Sequence, residues 1–184
     1  MDILNDDCIV NSKKVEQDCI VYALDEEKQE AYVFDNYFTS HSYAEVFIPR
    51  AIEYESEQFL VTRILEGSFQ RTSIISIDFP PDSELQIIEK NSFYQSLLQS
   101  VTIPHRVTQI CEKAFYFCYH LNKVEFQDDS ELQIIGKEAF CGTRIEKISI
   151  PSTVIHICEG AFCSNDSLEN ILISKNSELQ IIEK

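Results

Sequence analysis

The chain has 184 residues, 44% of them hydrophobic, which is enough to bury a substantial core in one domain or a domain with an appendage and excludes a disordered segment. Only four glycines and five prolines are present, so collagen-like and flexible-linker compositions are excluded too. With 15 basic against 31 acidic residues the formal net charge is -16, which repels a phosphate backbone and argues against a nucleic-acid partner.

The opening Met1-Asp2-Ile3-Leu4-Asn5-Asp6-Asp7 lacks the positive start and apolar run of a secretory signal peptide. No apolar stretch approaches the length of a membrane span, so no membrane insertion is expected. A cytosolic protein, export by a route the sequence does not advertise, and a piece of a longer product all fit. The first dozen residues read as frayed or as a short helix. Residues 19–24 and 30–34 then flank the polar run Asp25-Glu26-Glu27-Lys28-Gln29, a spacing that predicts a β-hairpin. A second extended stretch runs through Glu45-Val46-Phe47-Ile48-Pro49 to Phe59-Leu60-Val61-Thr62-Arg63-Ile64. Residues 1–60 show no period and read as an N-terminal β-rich cap.

From there the chain repeats. Ser83-Glu84-Leu85-Gln86-Ile87-Ile88-Glu89-Lys90 returns unchanged as Ser177-Glu178-Leu179-Gln180-Ile181-Ile182-Glu183-Lys184, and a near copy begins at Ser130, so successive starts lie 47 residues apart. Between them a second unit, opened by Ile103-Pro104 and closed by Ala114-Phe115, is echoed from Ile150-Pro151 to Ala161-Phe162 at the same offset. Both units carry a small residue followed by Phe, at Phe69, Phe93, Phe115, Phe140 and Phe162, spaced by 24, 22, 25 and 22 residues. The basic coil is thus about 23 residues, inside the leucine-rich-repeat range, in a long and a short form. Short units leave the strand through Ile-Pro, where proline fixes φ and cannot donate to a ladder. Long units use a polar turn two residues longer, such as Phe126-Gln127-Asp128-Asp129-Ser130-Glu131-Leu132.

Each unit also has apolar residues at Leu-x-x-Leu-x-Leu spacing: Ile74/Ile77/Phe79, Leu98/Val101/Ile103, Leu121/Val124/Phe126, Ile145/Ile148/Ile150 and Leu168/Ile171/Ile173. They predict five parallel strands stacked into a ribbon on the order of 25 Å long, with the phenylalanines behind it. The expected fold is an α/β-type leucine-rich-repeat solenoid, mostly β, of stacked parallel strands with short turns or helical bits and an N-terminal β-hairpin cap. The array occupies residues 61–184, about five units and a partial sixth.

These units resemble the BspA-like, or treponemal-type, leucine-rich repeat, in which a strand ending in Ile-Pro leads to Val-x-x-Ile-x-x-x-Ala-Phe, often with a Cys three residues on. Ala114-Phe115-Tyr116-Phe117-Cys118 fits in full. The resemblance covers residues 44–184, and the run from Tyr22-x-Leu24-Asp25 through Ile48-Pro49 to Val61-Thr62-x-Ile64 is similar to the segment that opens such arrays. It implies a non-enzymatic surface protein attaching to host cells or matrix proteins, like surface antigens of mucosal bacteria and protozoan parasites. The chain departs from it in lacking a recognisable export signal or anchor. Location is left open between cell surface and cytoplasm, with an intracellular interaction scaffold as the alternative function.

Little in the sequence suggests catalysis. His41, His105, His120 and His156 are dispersed, and the Cys118/His120 pair belongs to a polar turn. Seven cysteines make no CxxC pair and read as structural buried thiols, of which Cys111 and Cys158 sit in the same repeat phase; no metal and no cofactor is expected. Asn165-Asp166-Ser167 is a glycan acceptor tripeptide if the chain is secreted. The candidate binding surface is the concave ribbon, where residues between the inward ones face solvent in two columns. One is Ser76, Ser100, Lys123, Lys147 and Asn170; the other is Asp78, Thr102, Glu125, Ser149 and Leu172. The partner expected there is a protein. Leu179 onward opens a sixth unit that stops before its Phe, which suggests that either a longer parent continues the array or this end self-associates end to end with a second chain.

Overall fold

The computed structural model describes residues 12–36 and 44–183. Cys8, His41 and the opening residues to position 11, read above as frayed or helical, lie outside that range.

The chain begins as an antiparallel meander of β1 (Lys13–Gln17), β2 (Ile20–Asp25) and β3 (Glu30–Asn36). Asp18 and Cys19, the two residues between β1 and β2, have φ of 51° and 64°. A two-residue turn with both residues left-handed matches the twist of the strands it joins. The hairpin expected across Asp25 to Gln29 is present as β2 and β3, and Asp25 Oδ1 accepts the Lys28 N–H at 3.1 Å within its turn. After β4 (Ala44–Phe47), a second tight hairpin joins β5 (Ala51–Tyr54) to β6 (Glu57–Ile64), with Glu55 and Ser56 left-handed between them. Tyr22, Ile20, Ile52 and Phe59 are buried within this region, and burial raises the Tyr22 phenol above its ordinary pKa.

Two parallel ladders then wind along the array. On one side run β7 (Ile74–Asp78), β9 (Ser100–Ile103), β11 (Lys123–Phe126), β13 (Lys147–Ile150) and β15 (Asn170–Ile173). On the other run five strands of two residues each: β8 (Ile87–Ile88), β10 (Gln109–Ile110), β12 (Ile134–Ile135), β14 (His156–Ile157) and β16 (Ile181–Ile182). The short strands pair in sequence order and continue onto β6, which itself pairs in parallel with β3. The cap is therefore welded to the first coil by a shared sheet. The repeat pattern leads one to expect short turns or helical bits between the ribbon strands. No helix occurs among the described residues, because each two-residue strand turns one isoleucine inward, as at Ile88, Ile110, Ile135 and Ile157, and the coil turns away before a helix could start.

A third ladder joins the coils behind the aromatic residues. The Phe69 N–H donates to Ser92 O, Phe93 to Ala114, Phe115 to Ala139 and Phe140 to Ala161, at 2.7–2.8 Å. Two residues before and two after each Phe the backbone is left-handed: Gly67 and Arg71, Asn91 and Gln95, Lys113 and Phe117, Glu138 and Gly142, Gly160 and Ser164. Such conformations cost about 1–3 kcal/mol at a non-glycine residue and persist only where surrounding bonds over-determine them. The intercoil ladder is that constraint.

The five phenylalanines form a continuous stack. Neighbouring ring centroids lie 5.3, 4.9, 5.1 and 5.6 Å apart from Phe69 to Phe162, with interplanar angles of 3–6°. Phe69, Phe93, Phe115 and Phe140 are fully buried, each contributing roughly 1.5–3 kcal/mol by leaving water. The solenoid and its aromatic spine are those the spacing of the sequence implied.

Candidate functional site

The strand ribbon presents alternate residues outward, since successive side chains of an extended strand point to opposite faces. Val101, Val124 and Ile148 turn in, while Ser100, Thr102, Lys123, Glu125, Lys147 and Ser149 are exposed. Register sets them in line. Ser76 pairs with Ser100 and Ser100 with Lys123; Thr102 pairs with Glu125; Lys147 pairs with Asn170 and Ser149 with Leu172. Asp78, Asn170 and Leu172 are exposed and Ser76 is half-buried. All ten residues of the two columns thus lie on strands of this face.

The ribbon is not one continuous sheet. β4, β7, β9 and β11 form a four-stranded parallel sheet, β13 and β15 form a separate pair, and no ladder joins β11 to β13. Where they part lies an open cleft of about 1060 Å3. Its walls take Thr102, Lys123 and Glu125 from one sheet and Lys147 and Ser149 from the other, with the long turn at residues 127–131 and the short turn at 151–153 closing one end. Five of the ten column residues therefore gather around one break. Lys123 Nζ lies 3.0 Å from Glu125 Oε2, an exposed pair that screening keeps weak. Lys147 has no ion-pair partner among the described residues, and the exposed acids Asp128, Asp129 and Glu131 lie on the facing turn. The cleft thus offers one uncommitted cation, acidic groups and small hydroxyls on the outer face of two adjacent coils, which the Arg144 N–H holds together through Leu121 O at 2.9 Å.

Two residues of this face escaped the sequence reading. Strand β4, read there as part of the cap, pairs in parallel with β7, Glu45 to Ser76 and Phe47 to Asp78. Phe47 is 56% exposed and, with Leu172 at 43%, gives the mostly polar face an apolar residue near each end. The signal was Ile48-Pro49, the same strand exit as Ile103-Pro104 and Ile150-Pro151.

The nucleophile and glycan candidates find other employment. The Cys118 thiol donates to Phe93 O at 2.9 Å and touches Ser96 Oγ, while burial pushes its pKa up to about 12; His120 is exposed. Burial, with Glu89 nearby, likewise pushes Cys111 up to about 12. Of the thiols expected to be buried, Cys118 and Cys141 are, Cys111, Cys158 and Cys163 are half-buried, and Cys19 is exposed in its turn. Asn165 Nδ2 donates to the carbonyls of Phe140, Phe162 and Cys163 at 2.7, 2.9 and 3.3 Å, and its Oδ1 accepts from Thr143. That amide ties two coils together, so a glycan there would have to break the turn.

The family model described as the BspA type leucine rich repeat region matches residues 86–184, in six copies. The chain belongs to the BspA-type leucine-rich-repeat family. Among solved structures it is similar to the pneumococcal vaccine antigen PcpA, at 21% identity and a TM-score of 0.73 over 90% of this chain and 51% of that one. It is also similar to the leucine-rich-repeat protein of T. pallidum, at 19% identity and 0.72 over 86% and 71%. A leucine-rich-repeat protein of Bacteroides capillosus aligns at 19% and 0.52 over 88% and 98%. At these identities the likeness is one of fold. The chain spans about half the length of the pneumococcal antigen. No curated protein matches it by sequence. A BspA-type repeat array is a protein-interaction module, and among the described residues no helix is long and apolar enough to cross a membrane.

Proposed function

We propose that this BspA-type array is a surface protein mediating adhesion to host cells or matrix proteins, and that it recognises an extended protein segment along the strand ribbon at the β11/β13 break. The observation that carries the site is the cleft itself, where half of the outward columns gather around Lys147, which has no ion-pair partner among the described residues. The adhesive role draws on the family and on the pneumococcal structure to which the chain is similar, that of a vaccine antigen. In this division of labour residues to about 60 close the first coil and residues 61–184 carry the binding ribbon, with β4 lending it a strand. Exposed Ile171, Ile173, Ile181 and Ile182 make the terminal coil a second contact surface, through which chains pair end to end.

Two experiments test this. Labelling intact source cells with an impermeant reagent should modify the protein; a chain reached only after lysis is an intracellular scaffold instead. Binding of the purified chain to immobilised matrix proteins should weaken roughly tenfold or more in the Lys123→Glu/Lys147→Glu variant, because reversing rim charges opposes the encounter. Unchanged affinity would move the site off this face. Light scattering that shows monomer alone at high concentration would remove the end-to-end pairing.

A further inference from the structure

Outside the ribbon, the last two short strands bring three metal-ligating groups together. His156 and Cys158 lie two residues apart on the extended strand around β14, so they project from the same face. β14 pairs in parallel with β16, His156 with Ile181 and Ile157 with Ile182, and the next step of that register sets Glu183 beside Cys158. A ligand atom from each of the three, imidazole nitrogen, thiol sulfur and carboxylate oxygen, lies within 4.8 Å of the other two. His156 Nε2 and Glu183 Oε1 are 2.8 Å apart. Glu183 Oε2 accepts the Glu159 N–H at 3.0 Å, an outer bond of the kind that orients a ligating carboxylate. His156 and Cys158 are half-buried and Glu183 is exposed, leaving solvent a way in.

The other coils supply an internal control. In the register of the short strands, the positions of His156, Cys158 and Glu183 correspond to Gln109, Cys111 and Gly136 one period earlier, which leaves a single donor of that set. In the first copy of the repeated octapeptide, Glu89 stands where Glu183 does. There the residues facing it are Arg63 and Leu65, and Arg63 Nη1 holds Glu89 Oε1 at 3.3 Å. The same glutamate thus meets a fixed guanidinium at one end of the array and an imidazole and a thiol at the other.

We propose that His156, Cys158 and Glu183 form a binding site for Zn2+, with water in the fourth position. Nitrogen, sulfur and oxygen donors together suit this ion, and three protein ligands with one open position make a recognised zinc arrangement. Tetrahedral bonds of about 2.0–2.3 Å separate ligand atoms by roughly 3.3–3.8 Å, so side-chain rotations of about an ångström close the set around the ion. Binding replaces the His156–Glu183 contact by two bonds to zinc: the proton held between Nε2 and Glu183 leaves Nε2 through solvent, the imidazole binding as its Nδ1–H tautomer, and Cys158 gives its thiol proton to solvent as its sulfur takes the metal. The acidic chain favours the arriving cation. Zinc then staples the last coil to the one before it.

The test uses the metal-free full chain titrated with Zn2+ against a chromophoric chelator, and with Co2+ as a spectroscopic stand-in. One equivalent should bind, and cobalt should give tetrahedral d–d bands with a thiolate charge-transfer band. Cys158→Ser should abolish that band, and Glu183→Gln, which keeps the side-chain size at an exposed position, should lower zinc affinity at least roughly tenfold. Cys111→Ser should leave both readouts unchanged. Circular dichroism of each variant confirms folding. Absence of stoichiometric binding, a thiolate band that survives Cys158→Ser, or loss of binding in Cys111→Ser would overturn the site.

Discussion

The same eight residues, Ser83 to Lys90 and Ser177 to Lys184, occupy opposite ends of the array and meet opposite fates. In the first copy Leu85 and Ile88 are fully buried, because β8 has β6 on one side and β10 on the other. In the second, Ile182 is 62% exposed, since among the described residues β16 pairs with β14 alone. Local sequence is identical, so the difference belongs entirely to the neighbours. The protein is quasi-one-dimensional: a residue's share in stability is set by how many coils flank it. The capped end shows the other solution. There the meander of β1 to β3 adds strands to the sheet, and the lysines of β1 are taken up within it, Lys13 by Glu26 and Glu55 and Lys14 over the Phe34 ring.

The aromatic spine offers the largest test of that rule. Phe115 is stacked between Phe93 and Phe140, whereas Phe162 has Phe140 on one side alone and is half-buried. Phe115→Ala should cost about 3–5 kcal/mol in chemical denaturation. Phe162→Ala should cost roughly 1.5–3 kcal/mol, the value of the area alone. Equal costs would mean that stacking from both sides adds nothing.

Ile88→Ala should follow at about 2–4 kcal/mol, since it opens a cavity flanked by coils that cannot collapse into it. Next comes Gly136→Ala. A methyl group there would sit 2.6 Å from the Cys111 carbonyl carbon and 2.8 Å from Ile110 O, backbone atoms of the adjoining coil that are fixed by the ladder. Forcing them apart should cost about 1–3 kcal/mol, read as a lower denaturation midpoint. A neutral result would show that neighbouring coils can separate locally without loss.

These costs trace how much of the molecule was legible in its sequence. The phenylalanine spine and the two turn types were, because each is a local pattern repeated at a fixed offset and nothing distant has to be known. The short-strand ladder was not: two residues are too few to show alternation, and Ile87-Ile88 reads as a strand only when its partners Gln109-Ile110 and Ile134-Ile135 stand beside it. β4 joins β7 across some thirty residues that include a whole hairpin, so its place in the ribbon followed from pairing rather than period. The ten outward residues could be named from strand alternation. The break between β11 and β13 that gathers five of them could not, since it concerns how two coils stack. Glu183 meets His156 and Cys158 only through the register of β14 with β16.

The smallest expected effect bears most directly on the two copies of the octapeptide. Ile182→Ala removes the same atoms as Ile88→Ala, from the same sequence context, but at a site whose side chain already faces water. Its cost should stay within about 0.5 kcal/mol, as for surface positions generally. Measured at low and at high protein concentration, the pair of variants separates two explanations of the open end. A cost near zero throughout fits a terminal coil that faces solvent. A cost that grows with concentration toward that of Ile88→Ala means another chain covers β16, so that the second copy recovers from a partner the burial its twin receives from the next coil.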